Sequence, residues 1–203
     1  MRFVLASKSP GRLRLLRQVG LDPEVFVSGF DESQVQDPDA TNLARRLADA
    51  KGVSVTAQIE GEAIVVAGDS VLEFEGRARG KPGTVAAAQA EWRRMRGREG
   101  VLHTGHFVWV RDAAGTRSMS RVNSTVVRFA DLTEAEIDAY AATGEPLEVA
   151  GGFTLDGLGG AFITHLDGDA HNVTGISTSL LRQMLLDLGV QWHTLWVGQE
   201  RSS

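Results

Sequence analysis

The chain has no cysteine. That excludes disulfides, thiolate nucleophiles, zinc ribbons and iron–sulfur clusters. It also lacks a positive balance: 21 lysines and arginines stand against 26 acidic residues, a net charge of −5. Affinity for a nucleic-acid backbone needs a basic face, so no nucleic-acid polymer is expected as a partner. No apolar run approaches the roughly 20 residues of a membrane span. The run from Phe3 to Ala6 is too short for the apolar part of a secretion signal. A cytoplasmic protein without membrane contact is expected. Familiar catalytic loops are missing too. Gly80-Lys81-Pro82 has proline where a Walker loop needs serine or threonine, and Gly157-Leu158-Gly159-Gly160 does not complete a dinucleotide fingerprint. There is no G-x-S-x-G elbow. The five histidines show no metal spacing, and His103 and His106, an odd number apart on a strand, point to opposite faces.

What is present fits one globular domain. Of 203 residues, 42% are hydrophobic and 23% charged, enough for a sizeable core. The pattern predicts a mixed α/β chain with a single domain over 1–198 and a polar tail over 199–203. Arg2 to Ala6 reads as a buried strand. Ser9 is a helix N-cap with Pro10 at the first helical position, and Leu13, Leu16 and Val19 follow at helical spacing before Gly20. A second strand is expected at Val25–Val27, a polar loop over 31–40 and a helix from Thr41 to Lys51. Ala63–Ala67 is an unbroken apolar run, the mark of a central strand, and is expected to end at Gly68-Asp69-Ser70 before Val71–Phe74 continues. Val85, Ala88, Trp92 and Met95 share a helical stripe. Long strands at Val101–Val110 and Arg117–Phe129 join through Ala113-Ala114-Gly115. Thr133 and Glu136 form a capping box. A glycine-rich tract at 151–160, a strand at Ala161–Leu166 and a helix at Ser179–Leu188 complete the chain. The tryptophans, Trp92, Trp109, Trp192 and Trp196, read as packing residues.

Four features carry chemistry, each with a plain alternative. Ser7-x-Ser9-Pro10-x-Arg12 puts free N–H groups and a guanidinium where a strand meets a helix N-terminus, a natural anion site; it is also simply a capped helix. Asp69 follows an apolar strand, where open sheets place ligands, and suits metal binding or water activation; it is equally a turn aspartate. Lys51 and Lys81 read singly as a lysine in a helix's last turn and a loop lysine. Asp31 and Glu32 read singly as a solvated acidic loop.

Read in order, these pieces become specific. Leu5-Ala6-Ser7-Lys8-Ser9-Pro10-Gly11-Arg12 is followed by Ala50-Lys51, Gly68-Asp69-Ser70 and Gly80-Lys81-Pro82. Then come Met95-Arg96-Gly97-Arg98-Glu99, His103-Thr104-Gly105, Gly144-Glu145-Pro146-Leu147 and Ala150-Gly151-Gly152-Phe153. Asp156-Gly157-Leu158-Gly159-Gly160 and His171-Asn172-Val173-Thr174-Gly175 close the series. Over about residues 2 to 190 the chain resembles the Maf, or septum-formation-inhibitor, family. The resemblance implies a fold like that of the inosine triphosphate pyrophosphatases, with a long curved mixed sheet, flanking helices and a cleft between two lobes. It implies hydrolysis of nucleoside triphosphates, modified ones included, between the α- and β-phosphates, with a divalent cation (magnesium, manganese or cobalt), often as a homodimer. It assigns Ser7, Ser9 and Arg12 to the phosphate-gripping loop, Lys51 and Lys81 to the polyphosphate, Asp69 to catalysis and, with Glu32, to the metal.

Three positions depart from the thymidine/uridine triphosphate branch of that family. That branch has arginine at Gly11, threonine at Ser70 and glutamine at Asp156, all positions that bear on specificity. An ionised aspartate only accepts hydrogen bonds, so Asp156 is expected to favour bases with amino groups, and Gly11 to widen the pocket. Two other readings compete. A non-catalytic nucleotide-binding regulator of cell division need not keep the acids Asp69 and Glu32. A phosphotransferase is disfavoured by the missing P-loop.

Overall fold

A computed structural model describes residues 1–197. The polar tail and the last residue of the expected domain lie outside them. The elements are β1 (Arg2–Leu5), α1 (Pro10–Gln18), β2 (Glu24–Val25), α2 (Ala40–Thr56), β3 (Ala63–Phe74), β4 (Arg77–Arg79), α3 (Val85–Met95), β5 (Glu99–Asp112), β6 (Gly115–Phe129), α4 (Glu134–Ala142), β7 (Ile163–Asp167), α5 (Ala170–Thr174) and α6 (Thr178–Asp187). The seven strands form one mixed sheet in the order β2-β1-β3-β5-β6-β7, with β4 also paired to β3. β1 is parallel to β2 and β3, and the rest is antiparallel. The expected mixed α/β architecture holds. No described helix is long and apolar enough to cross a membrane.

The strand period builds the core. On β1 and β3, Phe3, Leu5, Ile64 and Val66 face one side and pack with Leu16 of α1 and Leu181 of α6. Val4, Ala6, Val65 and Ala67 face the other and pack with Ala48 and Val55 of α2. Further along β3, Leu72 and Phe74 return to the first side but pack with Trp92 of α3, Ile137 of α4 and Phe153. So β3 runs through two separate cores on one face. Gly68 and Ser70 fall between them, and there the cleft opens.

Two expectations need correction. Gly68-Asp69-Ser70 does not end a strand. β3 is continuous, and every residue from Ala63 to Glu73 pairs with β5. Glycine, aspartate and serine are poor strand formers, but a full antiparallel ladder overrides propensity. Nor does Lys51 end its helix, because α2 runs on to Thr56. Gly52 costs a helix about 1 kcal/mol, while burying Val55 gives back about 1.5–3 kcal/mol. Gly52 is needed for close packing, since a Cβ there would overlap the Phe107 ring. Gly105 does the same from the sheet side, against the Ala44 backbone. These two glycines seat α2 directly on β5. β4 and α5 are elements that the sequence pattern does not reveal. β2 is shorter than expected. The capping box at Thr133 and Glu136 is present.

Candidate active site

The sheet itself makes the opening. β1 pairs with β3 as far as Val66, and Ala6 N–H still reaches the Val66 carbonyl at 2.8 Å. β4 pairs with β3 only from Leu72 onward. Among the described residues no strand covers that edge of β3 between these points. The loop leaving β1, Ser7-Lys8-Ser9, lies at this gap, beyond the carboxyl end of a parallel strand, where open sheets hold ligands.

Adjacent residues of β3 then serve opposite faces. Asp69 shares the face of Ala67 and meets α2: its Oδ2 is 3.2 Å from Lys51 Nζ. Ser70 shares the face of Val66 and meets α1: Arg12 Nη2 donates to its Oγ at 3.1 Å. Lys51 also reaches Glu32 Oε1 at 2.8 Å, so one ammonium bridges two carboxylates. Both cations are buried, Arg12 at 7% and Lys51 at 9% exposure, so neither is the solvated surface charge of the plain reading.

Arg12 is held from several sides. Its Nε donates to the Gly175 carbonyl at 2.7 Å and its Nη1 to Ser7 Oγ at 3.2 Å. Asp69 Oδ1 lies 4.0 Å from Nη2 and accepts from the Ser70 N–H at 3.0 Å. Burial pulls the Arg12 guanidinium below its ordinary value, against Asp69 and Glu32, which raise it. Burial alone would raise the Glu32 carboxyl. The Lys51 hydrogen bond, with the charges of Lys51, Lys81 and Lys8, outweighs it and holds Glu32 below the usual carboxylate range. Ser9 caps α1, its Oγ accepting from the Arg12 N–H at 3.4 Å, and the Ser9 N–H donates to Ser7 Oγ at 3.2 Å.

Behind this set stands a supporting layer. Ser70 Oγ meets Thr104 Oγ1 at 2.9 Å, and Thr104 Oγ1 donates to the Asn172 carbonyl at 3.0 Å. Asn172 Nδ2 donates to the Leu102 carbonyl and to Thr125 Oγ1, both at 3.1 Å. His106 accepts the Ser177 N–H on Nε2 at 2.8 Å and so donates from Nδ1 to the Thr104 carbonyl at 2.9 Å. Burial pushes His106 down to about 4, helped by Arg12 and opposed by that carbonyl and Asp169, so it is neutral near pH 7. His103 faces the other way, toward Ser124 and Glu73, as its odd separation from His106 requires. The sequence pattern does not mark Thr104, His106, Asn172 or Gly175 as site residues. The ordered motifs at 103–105 and 171–175 were the available signal for three of them.

A cleft of about 790 Å³ unites the candidates: Ser7, Ser9, Gly11, Arg12, Glu32, Lys51, Asp69, Ser70, Lys81 and Asp156 all line it. Lys81 is exposed there. Its loop is tied to the facing loop by Gly151 N–H to the Gly80 carbonyl at 3.1 Å and Gly83 N–H to the Leu147 carbonyl at 2.9 Å. Asp156 departs from the expectation of a free acceptor, because Arg14 Nη2 holds its Oδ2 at 2.6 Å. Nothing in the sequence pattern points to Arg14.

The donor set also suits a hard divalent cation. Two carboxylates, Glu32 and Asp69, converge on the Lys51 ammonium beside the phosphate loop. Among the described residues no group of three or more metal-ligating side chains forms a dedicated cage. One or two carboxylates completed by substrate phosphates is how magnesium is commonly held.

Comparison with known proteins identifies the family. A family model described as Maf-like protein matches residues 2–188. A protein of Cutibacterium acnes named nucleoside triphosphate pyrophosphatase is 56% identical, covering 97% of this chain and 95% of its own. One of the same name from Streptomyces avermitilis is 52% identical, covering 98% and 97%. Among solved structures, the Staphylococcus aureus Ham1 protein covers 97% of this chain and 94% of its own at 13% identity, with a TM-score of 0.42. The matched span takes in every residue of the cleft described above, and the chain belongs to the Maf-like protein family.

Proposed function

We propose that this protein hydrolyses nucleoside triphosphates between the α- and β-phosphates, giving the monophosphate and pyrophosphate. One observation carries the reading: Asp69 and Ser70, neighbours on β3, meet Lys51 and Arg12 from opposite sides of the sheet in one cleft. A carboxylate able to take a proton thus stands beside cations able to hold phosphate. The name shared by the relatives supports the same activity.

In this reading the phosphates lie at the N-terminus of α1, where Ser7, Ser9 and Arg12 gather donors. Asp69 orients a water and takes its proton as the water oxygen attacks the α-phosphorus. The bond from the α-phosphorus to the bridging oxygen breaks, and the electron pair leaves with pyrophosphate. Lys51, Lys81 and Arg12 oppose the charge that grows on the leaving group. A triphosphate oxygen competes for the Lys51 ammonium and frees Asp69 Oδ2 to act. Glu32 and Asp69 would hold a divalent cation, which when bound neutralises phosphate charge. The relatives' shared name, nucleoside triphosphate pyrophosphatase, favours an enzyme over a non-catalytic regulator.

Product analysis by phosphorus NMR tests the proposal. Nucleoside triphosphates with magnesium or manganese should give monophosphate and pyrophosphate, and chelator should stop turnover. Diphosphate and free phosphate as the main products would refute it.

A further inference from the structure

We propose that Arg14 is a base-selecting residue, its guanidinium acting together with the Asp156 carboxylate as one donor–acceptor reader at the outer end of the cleft. The inference rests on the nucleotide reading above and adds a residue to it. Arg14 and Asp156 both line the cleft, and they join α1 to the loop that follows Phe153. Gly11 sits one helical turn before Arg14, on the same face of α1. A Cβ at Gly11 would lie 3.8 Å from Asp156 Oδ2 and 3.4 Å from the Thr174 carbonyl. A long side chain at position 11 would therefore compete with Arg14 for Asp156. Glycine there leaves the carboxylate to the arginine one turn on.

The distances suit a nucleotide. From Pro10 to Arg14 the helix rises about 6 Å, so phosphates seated at the helix start leave the base near the pair. A guanidinium has five N–H donors, and one is committed to Asp156 Oδ2. The others, beside Asp156 Oδ1, present donors next to an acceptor. Uracil, with O4 beside N3–H, takes the guanidinium on its oxygen and the carboxylate on its N–H. Cytosine offers Asp156 two amino N–H bonds, one of them turned away from N3, so it meets the carboxylate with or without the guanidinium. Asp156 alone would repel O4, whereas the pair accepts both bases. Broad base acceptance thus comes from Arg14 and not from the space at Gly11.

The pair is solvent-exposed, 59% for the Arg14 side chain and 35% for Asp156, so it adds little to stability and its variants should fold. The test measures binding of non-hydrolysable α,β-methylene analogues of uridine and cytidine triphosphate by calorimetry, alongside turnover of the natural nucleotides. In Arg14→Ala, affinity for the uridine analogue should fall about tenfold or more relative to the cytidine analogue, the scale of a hydrogen bond to a charged group. Arg14→Lys, which keeps charge and donors, should restore most of the ratio, and melting temperatures should match throughout. An unchanged ratio in Arg14→Ala overturns the proposal. So does an equal loss for both analogues, which would make Arg14 a general phosphate attractor. If the natural protein cleaves neither nucleotide but the binding ratio shifts as described, the hydrolytic reading fails and Arg14 still selects the base.

Discussion

The two ends of the cleft are built on different terms. At the inner end, Arg12 and Lys51 are buried, and each reaches two or more partners drawn from distant parts of the chain. At the outer end, Arg14 and Asp156 meet in solvent through one ion pair. Charges buried with several fixed partners are costly to disturb, whereas an exposed pair adds little stability. On the proposed reading, the chemistry that must be held in place sits where substitution is expensive, and base selection sits where substitution is cheap, so base preference could change without endangering the fold.

The sharpest way to break this comparison is Asp69→Asn. The amide keeps the shape and hydrogen bonds of the strand but cannot take a proton, so turnover should fall roughly a hundredfold or more. Its circular dichroism should match the natural protein. A folded variant with near-full activity would remove Asp69 from the role of base.

The next effect concerns the layer behind the inner end. Folded His106 titrates near 4, below the ordinary 6.5 of an unfolded histidine. Between those values the unfolded chain binds a proton that the folded chain refuses. Stability from this group is therefore full above about pH 6.5 and is lost as pH falls toward 4, by about 3 kcal/mol in all. His106→Gln keeps an acceptor for the Ser177 N–H but does not titrate. Denaturant melts at pH 7 and pH 4.5 should show a smaller acid loss for the variant. Equal slopes would mean that His106 is not a buried neutral acceptor.

The smallest effect separates the two lysines. Lys51→Ala leaves Glu32 and Asp69 without their shared cation, and the loss should be about 2 kcal/mol of stability, less than the roughly 3–5 kcal/mol of a fully buried pair because the Glu32 side chain is 38% exposed. Lys81→Ala removes an exposed charge and should alter stability by less than about 0.5 kcal/mol. Turnover should fall in both. Equal melting temperatures in the two would show that burial does not distinguish them.

Much of this was legible in the sequence. The apolar run Ala63–Ala67, the stripe of α3 and the capped start of α1 appear where periodicity puts them. The ordered motifs contain every candidate that lines the cleft except Glu32, which only the family resemblance assigned. What escaped has a common cause. Gly68-Asp69-Ser70 and Gly52-Val53-Ser54-Val55-Thr56 have compositions that locally favour ending an element. Only the ladder to β5 and the burial of Val55 make them continue, and such contacts have no local signature. Arg14 was silent for another reason: an arginine on an amphipathic helix looks the same whether or not a carboxylate from residue 156 reaches it.

The register of β1 also bears on how the molecule forms. β5 and β6 are joined by a tight turn between Asp112 and Gly115 and zip through local contacts. β1, by contrast, pairs in parallel with β3 from the far side of a loop on the order of 60 residues, whose closure costs entropy before any contact repays it. The favoured order is therefore meander first and β1 last. Ser7, Ser9 and Arg12 ride on that late strand and the helix after it, so the antiparallel part of the sheet can form before these residues reach the cleft. If nucleotide binds as proposed, binding requires that last docking step, and occupancy should slow the undocking of β1.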